Sequence, residues 1–223
     1  MNSQHPRLRE LQFTLHRIFR NPSAVIGFVL ILFFLAVAIF APYIAPPQYA
    51  HNPYLMPHKG FSTTPKPPNK THIFGTASGQ YDIFYGVVWG TRTAFKIGLF
   101  VVGFAALLGI ALGAISGYYG GIVDEVLMRI TDIIWAIPTL VLAMTIVVAF
   151  GRGLDKIMIA LALVGWRWYV RVIRSEILTL RDQDFVQAAK IMGVSDIKII
   201  LRHILPNAIY PALIMASMDM GSM

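Results

Sequence analysis

The stretch SAVIGFVLILFFLAVAIFAPYIA, Ser23 to Ala45, runs for twenty-three residues without a charge. A helix needs about 20 apolar residues to cross roughly 30 Å of hydrocarbon, so this window alone sets the chain in a bilayer. Arg7, Arg9, Arg17 and Arg20 precede it, a basic flank of the kind retained in the cytoplasm. The window is too long, and too poorly matched to a cleavage site, to be a removable signal peptide. Residues 1–22 are therefore expected to be cytoplasmic and 23–45 to form the first span.

Two further uncharged windows follow, Ile97 to Tyr119 and Ile133 to Gly151, the second interrupted by Pro138. A fourth begins at Ile157 and meets Arg167 after ten residues. Parity decides for a crossing there, because seven Lys and Arg between Arg167 and Arg202 then return to the side of the N-terminal arginines. Arg167 and Arg171 are expected to snorkel at that boundary. The spans after the first are placed at about 93–118, 127–150, 156–173 and, incomplete, 206–223, with a cytoplasmic loop at 174–205. Gly120 to Glu125 and Arg152 to Lys156 read as short turns. The polar, proline-rich residues 46–92 form the outer loop, and the spacing of His51, His58 and His72 fits no compact ligand pattern. No metal site is expected, and these histidines read as solvated.

Composition agrees with the windows. The chain is 56% hydrophobic and 13% charged, with mean hydropathy +0.62, against the usual quarter of charged residues. A formal charge of +8 in so apolar a chain points to cytoplasmic loops and anionic lipid, not nucleic acid. Without cysteine, disulfides, thiolate metal sites and Cys nucleophiles are excluded. The sequence holds no GxxxxGK[ST] loop, no GxGxxG after a strand and no HExxH. Any ATP hydrolysis therefore belongs to another subunit, and no catalytic residue is assigned.

Several patterns carry local structure. Ala105, Gly109, Gly113 and Gly117 recur at steps of four, placing small residues on one helix face for close packing or for sliding during gating. Arg129 and Asp132, at i and i+3, are placed to pair with each other. Pro138 is expected to kink its helix, either as structure or as pathway lining. In the charged stretch from Asp182 to Pro206, Asp184 reads as an N-cap with Gln187 at N3, and Gly193 as the C′ stop. Ser195 then opens a second short helix with an Ile197, Ile200, Leu201, Ile204 stripe, stopping before Pro206. This helix-turn-helix either lies on the surface or meets a partner at Ala188 and Ala189.

QAAKIMG from Gln187 to Gly193, followed by HILP at His203 to Pro206, resembles the EAA loop of ABC importer permeases. Gln187 stands for the usual Glu and His203 for the usual Ile, while Ala188, Ala189, Gly193, Leu205 and Pro206 keep register. RNPSAVIGF and FAPYIAPP resemble the first span of the C-type subunit of dipeptide, oligopeptide and nickel importers. HIFGT with Asp82, MRITDIIWAIPTLVLA (which includes Trp135) and WRWYVRVIRSEILTLRDQDFVQAA are similar to later segments of that family. Gln80 and Tyr81 depart from its common Gly-Arg pair, so no role is carried over to that position.

The resemblance implies an all-α integral membrane protein with the type I ABC importer transmembrane fold, about five of six spans being present, and a cut within the fifth. It implies a multi-pass subunit in the cytoplasmic membrane of a prokaryote, forming half of a translocation path for peptides. A homologous B-type permease, two ATPase subunits using ATP and Mg, and an extracytoplasmic solute-binding protein are the implied partners. Asp184, Gln187, Ala188, Ala189, Gly193, Leu205 and Pro206 would form the ATPase contact. Arg129, Asp132, Trp135 and Pro138 are pathway or gating candidates, and Asp82 and Arg92 are candidates for binding-protein contact. Oligosaccharide or nickel-chelate import is the same-class alternative. A membrane enzyme using Asp132 or His203, and a scaffold, are the alternatives from other classes.

Overall fold

A computed structural model describes residues 19–222 except 50, 59, 61 and 152. Arg7, Arg9, Arg17, Arg152 and Met223 therefore lie outside the described residues. Among the described residues the fold is helical, with two isolated bridges, His58 to Tyr81 and Thr76 to Asp82, as its β-type pairing. The chain divides into two compact units, residues 1–95 and 96–223.

In the first unit, helix α1 (Pro22–Ile44) starts where Asn21 accepts a hydrogen bond from the Ser23 amide at 3.1 Å and Pro22 occupies the first turn. Almost the whole surface of α1 is open, only 11% of its most apolar window being buried, as befits a helix whose solvent is lipid. Helix α2 (Ile83–Tyr119) begins earlier than its uncharged window. Trp89 Nε1 donates to the Ala45 carbonyl at 2.9 Å, and Tyr85 stacks on Trp89 with ring centroids 5.8 Å apart. These rings close a small core over Ala41, Ala45 and Val88.

The residues before α2 are ordered by side chains. Gln80 sits at φ +61°, the left-handed region that favours glycine, and its buried amide donates to the Thr64 carbonyl at 2.7 Å. Gln80 thus adopts the backbone glycine would and anchors it by its side chain. Replacing Gln80 by Gly relieves the backbone and removes the anchor. Gln80→Val should therefore destabilise this unit more than Gln80→Gly, as read by protease susceptibility of residues 46–82; equal susceptibility would contradict the backbone argument.

The second unit is organised by a face of small residues on α2. A β-carbon on Gly113 would lie 2.6 Å from the Val170 carbonyl oxygen, and one on Gly117 would lie 3.0 Å from that of Arg174. One on Gly109 would overlap Tyr169, and Ala105 meets Gly165 in the same row. The partner is helix α5 (Leu154–Leu180), whose Tyr169, Val170, Ile173 and Ile177 are buried there. Two backbones come this close only where side chains are absent.

Between them in sequence lie α3 (Gly121–Ala136) and α4 (Thr139–Phe150), bent by 91° at Ile137 and Pro138. Where a kink is expected the helix breaks: Ile137 is extended because the residue before proline is driven out of the α region, and Pro138 offers no amide. Gly120, at φ +65°, is the whole turn between α2 and α3, so the expected Gly120 to Glu125 loop is mostly helix. Helix α5 continues past the expected end of the fourth span at residue 173 to Leu180.

Beyond α5 come α6 (Asp184–Ile191), α7 (Asp196–Ile199), a π turn (Ile200–Ile204), α8 (Leu205–Ala208) and α9 (Tyr210–Ser222). The segment Asp196–Ala208 meets α9 at 57°. The chain does not stop before Pro206. The Leu205 amide reaches back to the Ile200 carbonyl, and this wide turn lets the proline enter the helix that follows. The extra residue also rotates the register: Ile199, Ile200 and Ile204 are buried, while Ile197 and Leu201 of the expected stripe are 66% and 57% exposed.

The glycine face yields a direct test. Gly113→Val should lower thermal stability in detergent by about 1–3 kcal/mol or prevent folding, through overpacking. Gly103→Ala, with nothing within 4 Å of its new β-carbon, should be nearly neutral.

Candidate functional site

Helix α6 has one face in the core and one outside. Val186 is fully buried and Ala189 is 1% exposed, both packed with Tyr118, Ile177 and Ile199, whereas Phe185, Ala188, Ile191 and Met192 are exposed. Gln183, not Asp184, occupies the N-cap position; Asp184 is the first helical residue, where its charge favours the helix N-terminus. Gln187 lies on the open side, its amide donating to the Arg181 carbonyl at 3.2 Å. At the other end Gly193, φ +75°, donates to the Lys190 carbonyl at 2.9 Å and Val194 to that of Ala189 at 3.1 Å. These two bonds make a Schellman stop, which fixes the α6–α7 corner. Ser195 takes the N-cap position of α7 through its extended backbone. Leu205 is half-buried and Pro206 exposed at the start of α8.

The corner is tied to the rest of the second unit by polar contacts. Tyr118 donates to Asp196 Oδ1 at 2.7 Å, and Lys190 Nζ lies 5.3 Å from the centre of the Tyr118 ring. Arg174 grips Asp124 through two hydrogen bonds of 2.5 and 2.6 Å, and Ser116 donates to the same carboxylate. Arg181 donates to the Gly117 carbonyl at 3.1 Å, satisfying an open acceptor at the end of α2. Sequence reasoning passed over Asp124, Arg174, Tyr118 and Asp196. Their signal, charges and a phenol bordering apolar windows, is shared by ordinary interfacial residues.

A second cluster surrounds the α3–α4 break. Asp132 pairs with Arg171 instead of Arg129, which is exposed on α3. An α5 arginine facing the carboxylate from across the bundle outcompetes a neighbour that must bend back along its own helix. Trp135 meets Trp168 edge to face at 4.0 Å and lies 5.3 and 5.0 Å from the guanidinium carbons of Arg167 and Arg171. Arg167 does not snorkel. It is 2% exposed, donating to the Ile134 carbonyl at 3.4 Å and to the Thr139 hydroxyl, so it bridges the two sides of the break at Pro138.

The remaining candidates lie in the first unit. Asp82 is not an open contact: it pairs with His72 at 2.7 Å and accepts from the Tyr85 amide at 3.0 Å, capping α2. This also removes His72 from the solvated histidines. Arg92 is exposed, 5.7 Å from the Trp89 ring centre. Among the described residues no group of three or more His, Cys, Asp or Glu could hold a metal.

The Asp124–Arg174 pair is measurable by a double-mutant cycle. Asp124→Asn and Arg174→Gln should each destabilise by about 1–3 kcal/mol, between exposed and buried pairs, with less than additive loss in the double variant.

Residues 109–223 match the family described as binding-protein-dependent transport system inner membrane component. Residues 11–68 match the N-terminal TM domain of oligopeptide transport permease C. The chain is 37% identical over 204 residues to a dipeptide transport system permease of Alkalihalophilus pseudofirmus, covering 91% of this chain and 64% of that protein. It is 35% identical over 188 residues to an oligopeptide transport system permease of Bacillus subtilis, covering 84% and 59%. To a dipeptide transport system permease of Haemophilus influenzae it is 31% identical over 206 residues, covering 91% and 68%. The chain thus spans less than two thirds of the length of the first two relatives.

Proposed function

The chain belongs to the family of binding-protein-dependent transport system inner membrane components, and from that premise we propose that it is the C-type permease subunit of an ATP-driven peptide importer. The all-α architecture is the transmembrane fold of type I ABC importers. Dipeptide and oligopeptide transport in the names of its relatives supports peptides as cargo. Oligosaccharide or nickel-chelate uptake without peptide uptake would overturn that choice.

The observation that carries the reading is the two-sided α6. Its outer side, with Phe185, Ala188, Ile191 and Met192, is the contact for an ATPase subunit; its inner side, with Val186 and Ala189, belongs to the α2–α5 core. A push on the outer side moves α6, α7 and the α2–α5 pair together, since Tyr118–Asp196 and the Schellman corner leave little slack. Closure of an ATPase dimer on ATP and Mg supplies that push, biasing two packings of the helices, inward-open and outward-open. ATP chemistry is the partners' work, and this subunit is non-catalytic.

In the assembly we propose, a homologous B-type permease completes the path, two ATPases dock on the cytoplasmic side and a solute-binding protein delivers cargo from outside. The N-terminal arginines support a cytoplasmic N-terminus, and the relatives' organisms support a prokaryotic membrane. Exposed Arg92 is the contact offered to the binding protein, and Asp82 orders the segment beside it. The helix break at Pro138, with Asp132, Trp135 and Arg129 on the preceding helix, is the gating element.

Ala188 and Ala189 separate docking from folding. Ala188→Trp should leave the protein monodisperse in detergent but lower ATPase co-purification and peptide uptake about tenfold or more, whereas Ala189→Trp should impair folding itself. Gly193→Pro, which loses the amide to Lys190 and cannot hold φ +75°, should resemble Ala188→Trp in uptake. Undiminished uptake in Ala188→Trp would overturn the coupling assignment.

A further inference from the structure

A hollow of about 460 Å³ opens at the α6–α7 corner of the second unit, with Met192, Gly193, Ser195, Lys198, Arg202 and His203 among its walls. A water molecule's share of the liquid is about 30 Å³, so the hollow has room for a group of many atoms. Its walls are basic: Lys198 and Arg202 bring two positive charges, His203 an imidazole, and no carboxylate lines it. Among the described residues, none of these three side chains, nor the Ser195 hydroxyl, makes a hydrogen bond or ion pair. The contrast with α5 is direct, since Arg167, Arg171, Arg174 and Arg181 each bind a hydroxyl, a carboxylate or a carbonyl. The acid closest in sequence, Asp196, accepts from the Tyr118 hydroxyl.

The cations have apolar neighbours that packing does not use. Ile197 and Leu201 each stand one residue before a cation, and they are 66% and 57% exposed. An apolar row thus runs beside a basic row along one short segment, the pattern of a helix lying at a membrane interface. The segment leads into α9, and Asp196–Ala208 and Tyr210–Ser222 together are long and apolar enough for a bent span. We propose that this corner binds the phosphate headgroup of an anionic phospholipid in the cytoplasmic leaflet. Lys198 and Arg202 pair with the phosphate, Ser195 and His203 offer further donors, and Ile197 and Leu201 reach the acyl boundary. The inference goes beyond the permease reading and uses only its placement of this corner at the cytoplasmic face. A free phosphate would satisfy the cations and leave Ile197 and Leu201 in water. Cations directly before a span lie at headgroup depth, within reach of anionic lipid through their flexible stems. Met192 borders both the hollow and the open side of α6, so a lipid held here braces the corner proposed to receive the ATPase.

The test uses the full-length subunit assembled with its permease partner and ATPases in phosphatidylcholine vesicles containing one quarter phosphatidylglycerol. A benzophenone amino acid replaces Leu201, and each lipid in turn carries a radiolabel. Irradiation should attach phosphatidylglycerol to the subunit well above its one-quarter share. Lys198→Gln with Arg202→Gln should cut that excess about tenfold or more, each cation near an anionic surface contributing about fivefold. Lys190→Gln, the same loss of charge on α6, should leave the excess unchanged. Where the double variant does not assemble, Lys198→Gln alone should cut the excess about fivefold. Labelling at the one-quarter share overturns the site, as does an excess that removal of either or both cations leaves intact. Loss of the phosphatidylglycerol label in millimolar inorganic phosphate would show a site for a free anion and overturn the lipid assignment. Transfer of the benzophenone to an ATPase subunit in place of lipid would overturn it too, while supporting the docking reading of this corner.

Discussion

Close approach of α2 and α5 is the constraint from which the second unit is built. At Gly109, Gly113 and Gly117 the backbone and β-carbons of α5 stand where a side chain on α2 would be. In lipid there is no water to expel between helices, so their association relies on contact density and on hydrogen bonds whose alternatives are poor. A row of missing side chains supplies the first. Asp124–Arg174 and Arg181 with the Gly117 carbonyl supply the second at one end of the same seam.

Everything attached to that seam inherits its rigidity. Tyr118, immediately after Gly117, reaches Asp196 in α7, and Ile177 packs with Val186 and Ala189 of α6. An event on the outside of α6 is thereby carried into the helix pair without passing through a flexible linker. Farther along α5, Arg167 and Arg171 reach the helices on either side of the Pro138 break. One continuous helix, Leu154–Leu180, thus runs from the α6–α7 corner to the helix break at Pro138. A stiff helix beside a broken one suits the alternating-access role proposed above.

How much of this was legible in the sequence depended on the range of the interaction. The first two uncharged windows, the four-step glycine face and the Gly193 stop follow from local rules and have counterparts in the structure, whereas the third window is broken at Pro138. The polar ties do not: Tyr118 and Asp196 are 78 residues apart and Arg174 and Asp124 are 50 apart, and no spacing rule joins them. Local rules also misled where tertiary contacts compete. Arg129 and Asp132 have pairing geometry, but Arg171 takes the carboxylate. Charge parity put Arg167 at a membrane boundary, although a proline break, a hydroxyl and an indole ring together accommodate it inside the protein. The π turn before Pro206 shifted the apolar stripe from Ile197 and Leu201 to Ile199, a change visible only once the wide turn is known.

Docking of an ATPase subunit on the open side of α6, as proposed above, is tested by site-specific cross-linking. These 223 residues hold no cysteine, so Ala188→Cys and Val186→Cys each introduce the one thiol among them. Paired with a cysteine in the surface groove of the ATPase subunit, Ala188→Cys should cross-link in the assembled transporter and change its yield when ATP is added. Val186→Cys, whose position is fully buried, should not react. Equal cross-linking at both positions, or none at Ala188→Cys in a complex that still imports peptide, would show that no ATPase subunit docks on this side of α6.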